Sequence, residues 1–176
     1  MSFDDDFAEQ QVSAASPSEK VFLTLTGTRA IQVRFAPGYY QRASTSDMEA
    51  QLSRAARLLF VERTRAMYAG LSAEAGERVE PGRDRLHRDA RTYRERLDEL
   101  TASGSSAGGE VTLISVGLGA FTVTIAPGTL DRLSEEQFIA AGQATTLAYI
   151  ADFDAKLALL KYDVYYRERL EAAGLG

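Results

Sequence analysis

The side chains best suited to chemistry in this chain are arginines, and the chemistry they suit is phosphate contact. Arg54, Arg57 and Arg65 fall within about 80° of one another on a helix that turns ~100° per residue, and only Glu62 lies nearby among them. A guanidinium donates two hydrogen bonds from a planar fork, which matches a phosphate. A second group includes Arg85 and Arg88, in a stretch where seven arginines between 77 and 99 stand among seven acids. That helix is either a second phosphate-facing stripe or a solvated surface laced with ion pairs.

Nucleophilic and metal chemistry have little to work with. The chain has no cysteine and one histidine, His87, so thiolates, disulfides and histidine-rich metal sites are excluded. His87 sits between Leu86 and Arg88 in a polar helix and reads as a surface residue. Asp152 and Asp154 are two apart on a helix and point to different sides. Gly117-Leu118-Gly119 leads into a strand, so no helix N-terminus awaits a phosphate there. No enzyme, metal site or cofactor is expected. No apolar run approaches the ~18 residues of a membrane span, and no basic region precedes an apolar core at the N-terminus. A cytoplasmic protein is expected. The net charge of −5 is segregated. Residues 1–19 carry five acids and no base, 20–100 carry 15 bases and 11 acids, and 101–176 carry five bases and nine acids.

The elements that must position these residues are written twice. Residues 21–61 align with 111–151 at an offset of 90 without a gap, and eleven of the 41 positions are identical. The unbroken run is Ala36-Pro37-Gly38, matched by Ala126-Pro127-Gly128. Residues 1–19 are acidic and punctuated by Pro and Ser, and read as a disordered tail. Residues 20–26 and 30–35 alternate apolar and polar side chains around a Gly27 turn, the pattern of a β-hairpin. Ser44 or Ser46 starts a long helix to about Gly70, with Met48, Leu52, Ala55 and Leu59 on one face. A loop over 70–81 follows. Residues 82–101 form a polar helix whose apolar residues Leu86, Ala90, Tyr93, Leu97 and Leu100 are spaced 4-3-4-3, a seam for pairing with another helix. Ala102–Gly109 reads as a flexible linker. A second hairpin and a long helix then begin, the helix at a Ser134/Gln137 capping box. Tyr162, Tyr165 and Tyr166 near its end are packing residues or a partner-binding face. The division is therefore 1–19 tail, 20–75 first unit and 76–176 second unit.

The run from Leu97 to Ile150 resembles the YbaB/EbfC family of small nucleoid-associated proteins. The resemblance rests on Gly108-Gly109, the strand Val111–Val116, the Gly117/Gly119 turn, the strand Phe121–Ile125 and the Pro-Gly break before Leu130 and Ser134. It covers the second copy and, more loosely, the strands and helix of the first. It implies an α+β fold of two tandem units, each a β-hairpin plus a long helix. These would form an internal pseudo-dimer around the Arg-rich helix, with the two hairpins pairing into one sheet. A homodimer through the apolar seam is a further arrangement. The family's members are dimeric DNA-binding proteins. The resemblance therefore implies DNA binding and a nucleoid location. The candidate contacts are the helix arginines Arg54, Arg57, Arg65, Arg85 and Arg88, and so few would give only weak, sequence-tolerant phosphate contact. The acidic tail and the Tyr162-Asp163-Val164-Tyr165 ending resemble a second group, actinobacterial proteins with a YbaB-like core linked to type VII secretion. That resemblance implies a cytosolic adaptor or chaperone for a protein partner.

Overall fold

Alternating apolar residues drive both sheets. In the strand Val21–Thr26 (β2), Val21, Leu23 and Leu25 are buried, and Phe22, Thr24 and Thr26 lie on the other side. The strand Val111–Val116 (β5) repeats this with Val111, Leu113 and Ser115 inward. β2 pairs antiparallel with Ala30–Phe35 (β3), and β5 with Ala120–Ile125 (β6). This computed structural model describes residues 11–27, 30–75, 88–117 and 119–166.

Each hairpin carries a third strand that the sequence reading missed. Gln11–Ala15 (β1) pairs with β2, and Thr101–Ser105 (β4) pairs with β5, both antiparallel. Residues 11–19 are thus strand and turn rather than tail, while 1–10 lie outside the described residues. Likewise Ala102–Gly109 is not a linker, since β4 occupies its first half. The turns that follow β1 and β4 share one construction. Ser16 Oγ accepts the Val21 N–H at 3.2 Å, and Ser106 Oγ accepts the Val111 N–H at 3.2 Å. Left-handed residues occur in pairs ninety apart: Glu19 and Gly109 (φ 54° and 73°), Gly27 and Gly117 (59° and 58°), Gly38 and Gly128 (69° and 76°). The correspondence therefore reaches back to residue 11, ten residues earlier than the sequence alignment.

The helices are Thr45–Ala75 (α1), Arg88–Glu99 (α2), the short Thr129–Arg132 (α3) and Glu135–Lys161 (α4), followed by a π-helical turn over Tyr162–Tyr166. The Asp47 N–H donates to Ser44 Oγ at the start of α1, so Ser44 rather than Ser46 caps it. Met48, Leu52, Ala55 and Leu59 are all buried on its inner face. The capping box of α4 is complete, with the Gln137 N–H on Ser134 Oγ and the Ser134 N–H on Gln137 Oε1. The expected loop from Gly70 is corrected. One interior glycine costs a helix only about 1 kcal/mol, and α1 continues to Ala75, with 76–87 outside the described residues. α2 ends at Glu99 rather than 101, because Thr101 is paired with Val116.

The molecule is mixed α+β with two separate three-stranded sheets, β1-β2-β3 and β4-β5-β6. The two hairpins do not merge into one sheet; instead a helix from the opposite unit lies along the last strand of each, β3 or β6. Ser53 Oγ of α1 accepts the Val123 N–H at 2.9 Å, and Glu49 Oε1 accepts the Ile125 N–H at 2.8 Å. On the other side Gln143 Nε2 of α4 donates to the Ile31 carbonyl at 3.1 Å. Each helix also lies over the first two strands of its own sheet. Gly104 marks the closest approach: a Cβ there would collide with the backbone of Thr145 and Tyr149. Between the units, the rings of Phe35, Tyr40 and Phe138 pack tilted against one another at separations of 5.4–6.1 Å. The Tyr40 hydroxyl donates to the Leu133 carbonyl at 2.9 Å.

Candidate functional site

The duplication gives two long helices whose outward faces can be compared position by position. On α1 the outward positions are Arg54, Arg57, Leu58 and Arg65, all exposed. The acids near them are engaged elsewhere: Glu49 holds the Ile125 N–H, and Glu62 pairs with Arg65 at 2.6 Å. Arg54 and Arg57 make no ion pair among the described residues. Arg65 is a weaker anion contact than the sequence suggests, because its charge is already met. Arg88 is the first residue of α2, and Arg85 and His87 lie outside the described residues.

The equivalent face of α4 carries no arginine. Ninety residues on from Arg54, Arg57, Leu58 and Arg65 stand Ala144, Leu147, Ala148 and Ala155, all exposed. The stripe continues through Ala151, Ala158, Leu159 and Tyr162, also exposed. At ~100° per residue these positions occupy an arc of about 120°. Asp154 lies just outside its edge. Leu159 is 66% exposed, the most of the large apolar side chains among the described residues, with Leu147 at 46% and Tyr162 at 45%. An α-helix apolar on all sides is ordinarily buried all round, and α4 is not. Its inner face is filled by Phe138, Thr145, Tyr149 and Leu160. The Ala spacing of 4-3-4-3 is present in the sequence, but in a helix apolar on every side nothing in the spacing says which stripe faces out.

The seam proposed for the Arg-rich helix meets its own chain. Tyr93, Leu97 and Leu100 are half-buried, and α2 packs against α4 and the π-helical turn. The Tyr93 ring lies 5.5 Å from that of Tyr165, and Arg96 pairs with Asp163 at 3.2 Å. Ala90 lies within α2, and Leu86 is outside the described residues. Tyr165 is thus a packing residue, whereas Tyr162 belongs to the exposed stripe.

The Asp152 carboxylate of α4 serves the fold. Asp152 accepts the Ser103 N–H of β4 at 2.8 Å and pairs with Lys156 at 2.8 Å. The lysine first, then the backbone donor, holds its carboxyl below the usual range. Among the described residues no helix is long and apolar enough to cross a membrane. Compared with protein-family models, curated proteins and solved structures, the chain has no match.

Proposed function

We propose that this chain is a non-enzymatic protein-binding adaptor or chaperone. In this reading it is built as two tandem YbaB/EbfC-like units in an internal pseudo-dimer and receives an apolar helix of a partner protein on α4. The observation that carries the reading is the exposed Ala/Leu stripe from Ala144 to Tyr162. A contiguous apolar strip of this kind is often functional. Its small side chains let another helix approach closely, with Leu147, Leu159 and Tyr162 as anchors. The strip is about 27 Å long at 1.5 Å per residue and ~10 Å wide. That area is roughly a third of the ~800 Å² per partner typical of a stable complex. It fits a single helix better than a second copy of the chain docked by this strip alone.

A second reading, nucleoid-associated DNA contact, is favoured by one observation: Arg54 and Arg57 are exposed and unpaired among the described residues. With so few free cations the contact would be weak and salt-sensitive.

One experiment separates the two. A photo-crosslinking residue at position 151 is compared in the host with one at position 61, the equivalent site on α1. The crosslinked partner is then tested against Ala148→Glu/Ala155→Glu and against Arg54→Ala/Arg57→Ala/Arg65→Ala. The adaptor reading requires a partner at 151, lost with the two glutamates while the melting curve is unchanged. A partner indifferent to them removes it. Duplex binding that falls steeply between ~50 and ~200 mM salt and disappears in the arginine triple variant would establish the DNA reading instead.

A further inference from the structure

Between the two sheets and helices α1 and α4 lies a cavity of about 110 Å³. Its walls come from equivalent positions of the two units, as with Val33 and Val123, or Leu59 and Tyr149. Nearly every lining position is apolar, and the pairing fails in two informative places. Leu52 of α1 is buried and faces the cavity, whereas its counterpart on α4 is Gly142. A Cβ built on Gly142 would meet nothing within 4 Å. The second place is Arg63, half-exposed on α1, whose counterpart is Phe153.

Both departures work against the fold taken alone. A glycine inside a long helix costs about 1 kcal/mol relative to alanine, and here a side chain would have had room. Arg63 puts a charged side chain where the other unit has an apolar one, and it makes no ion pair among the described residues. Asp152 of α4 is already held by Lys156 and the Ser103 N–H. The Tyr149 hydroxyl, also at the cavity, is engaged with Ser115 at 2.9 Å. So one unit has a glycine where the other has a filling leucine, and the other has an unpaired cation at the same cavity. Room and an unmatched positive charge are what an amphipathic anion requires.

We propose that this cavity binds a small apolar monocarboxylate. Its tail, a short acyl chain or a single ring, occupies the space beside Gly142, and its carboxylate pairs with Arg63. The size is appropriate: an apolar cavity of roughly 150 Å³ takes up benzene and otherwise stays dry. The carboxylate matches the planar fork of arginine. This inference is independent of what binds the outer faces of the helices.

The test is titration of the full chain with hexanoate and with phenylacetate, followed by methyl chemical shifts of Val33, Val123 and Ile31, with 1-hexanol as the uncharged comparison. Saturable shifts are expected for both acids. Arg63→Gln should weaken the acids at least tenfold and leave hexanol unchanged. Gly142→Leu should remove binding of all three. Ala56→Leu, which fills the cavity from α1, gives the same answer should Gly142→Leu disturb the helix. Absence of saturable shifts at ~10 mM acid overturns the proposal. So does hexanol binding as tightly as hexanoate, or acid binding that survives Arg63→Gln.

Discussion

Gly142→Ala is the substitution whose sign and size follow most directly from the structure. Gly142 lies in the interior of α4 with ordinary helical backbone, so alanine is conformationally welcome there. Exchanging glycine for alanine in a helix interior contributes about 0.8–1.0 kcal/mol. The new methyl enters open space beside the cavity. A fully buried methylene is worth about 0.8 kcal/mol, and a partly open cavity returns about half of that. The expected gain is about 1.3 kcal/mol. For a chain of this size 1 kcal/mol moves the melting temperature by roughly 2–4 °C, so the midpoint should rise by about 3–5 °C. Calorimetry and urea unfolding, with an unchanged urea slope, measure it. Gly104→Ala is the control of opposite sign. Its Cβ would collide with the backbone of Thr145 and Tyr149, and overpacking of that kind costs about 1–3 kcal/mol. If Gly142→Ala lowers the midpoint, α4 has no free space at that position, and the cavity argument goes with it.

Other outcomes follow from single contacts. Glu19 holds a left-handed conformation where the second unit has Gly109, so Glu19→Gly should stabilise by about 0.5–1 kcal/mol in urea unfolding. Glu49→Ala with Ser53→Ala should speed hydrogen exchange at the Val123 and Ile125 amides, whose acceptors they remove, while the Leu113 amide keeps its protection. Asp47 is held below the usual carboxylate value chiefly by the hydrogen bond from the Tyr39 hydroxyl, while burial and then that same bond push the Tyr39 phenol up. The carboxylate's contribution is present above its unfolded value near 4 and lost as pH falls through the lower folded one. The phenol's contribution is full below its unfolded value near 10 and lost as pH rises beyond it. Tyr39→Phe should therefore cost about 1 kcal/mol at pH 7, with the deficit shrinking below pH 4 and above pH 10; urea midpoints at pH 3, 7 and 10.5 check it.

What the sequence discloses follows from which physical signal each element carries. β2, β3, β5 and β6 alternate apolar and polar residues between Gly turns, and α1 shows its core through Met48, Leu52, Ala55 and Leu59. β1 and β4 read QVSAA and TASGS, mostly small side chains with little strand propensity. They are strands because β2 and β5 offer unpaired backbone and because a helix presses on them. Gly104, the residue that makes that stretch look like a linker, is what lets α4 come so close. The outer stripe of α4 and the cavity were hidden for another reason. Which apolar residues are covered is decided by strands distant in the chain, from β3 to β5, and local periodicity does not record it. The arginines of α1 were legible, but not that Glu62 occupies Arg65 while Glu49 leaves the surface for the β6 edge.

The crossed closure of the strand edges carries a consequence for how such a chain can change. Divided between Ala75 and Arg88, it would yield two fragments, each with an open strand edge that only the other can close. Such fragments should find each other and complement. The covalent joint replaces cellular abundance by an effective concentration on the order of millimolar for short connections. It also ends the obligation of two identical copies to accept every substitution twice. One half can then acquire arginines on its outward helix, and the other shed them, while the mating surface between the halves stays as it was.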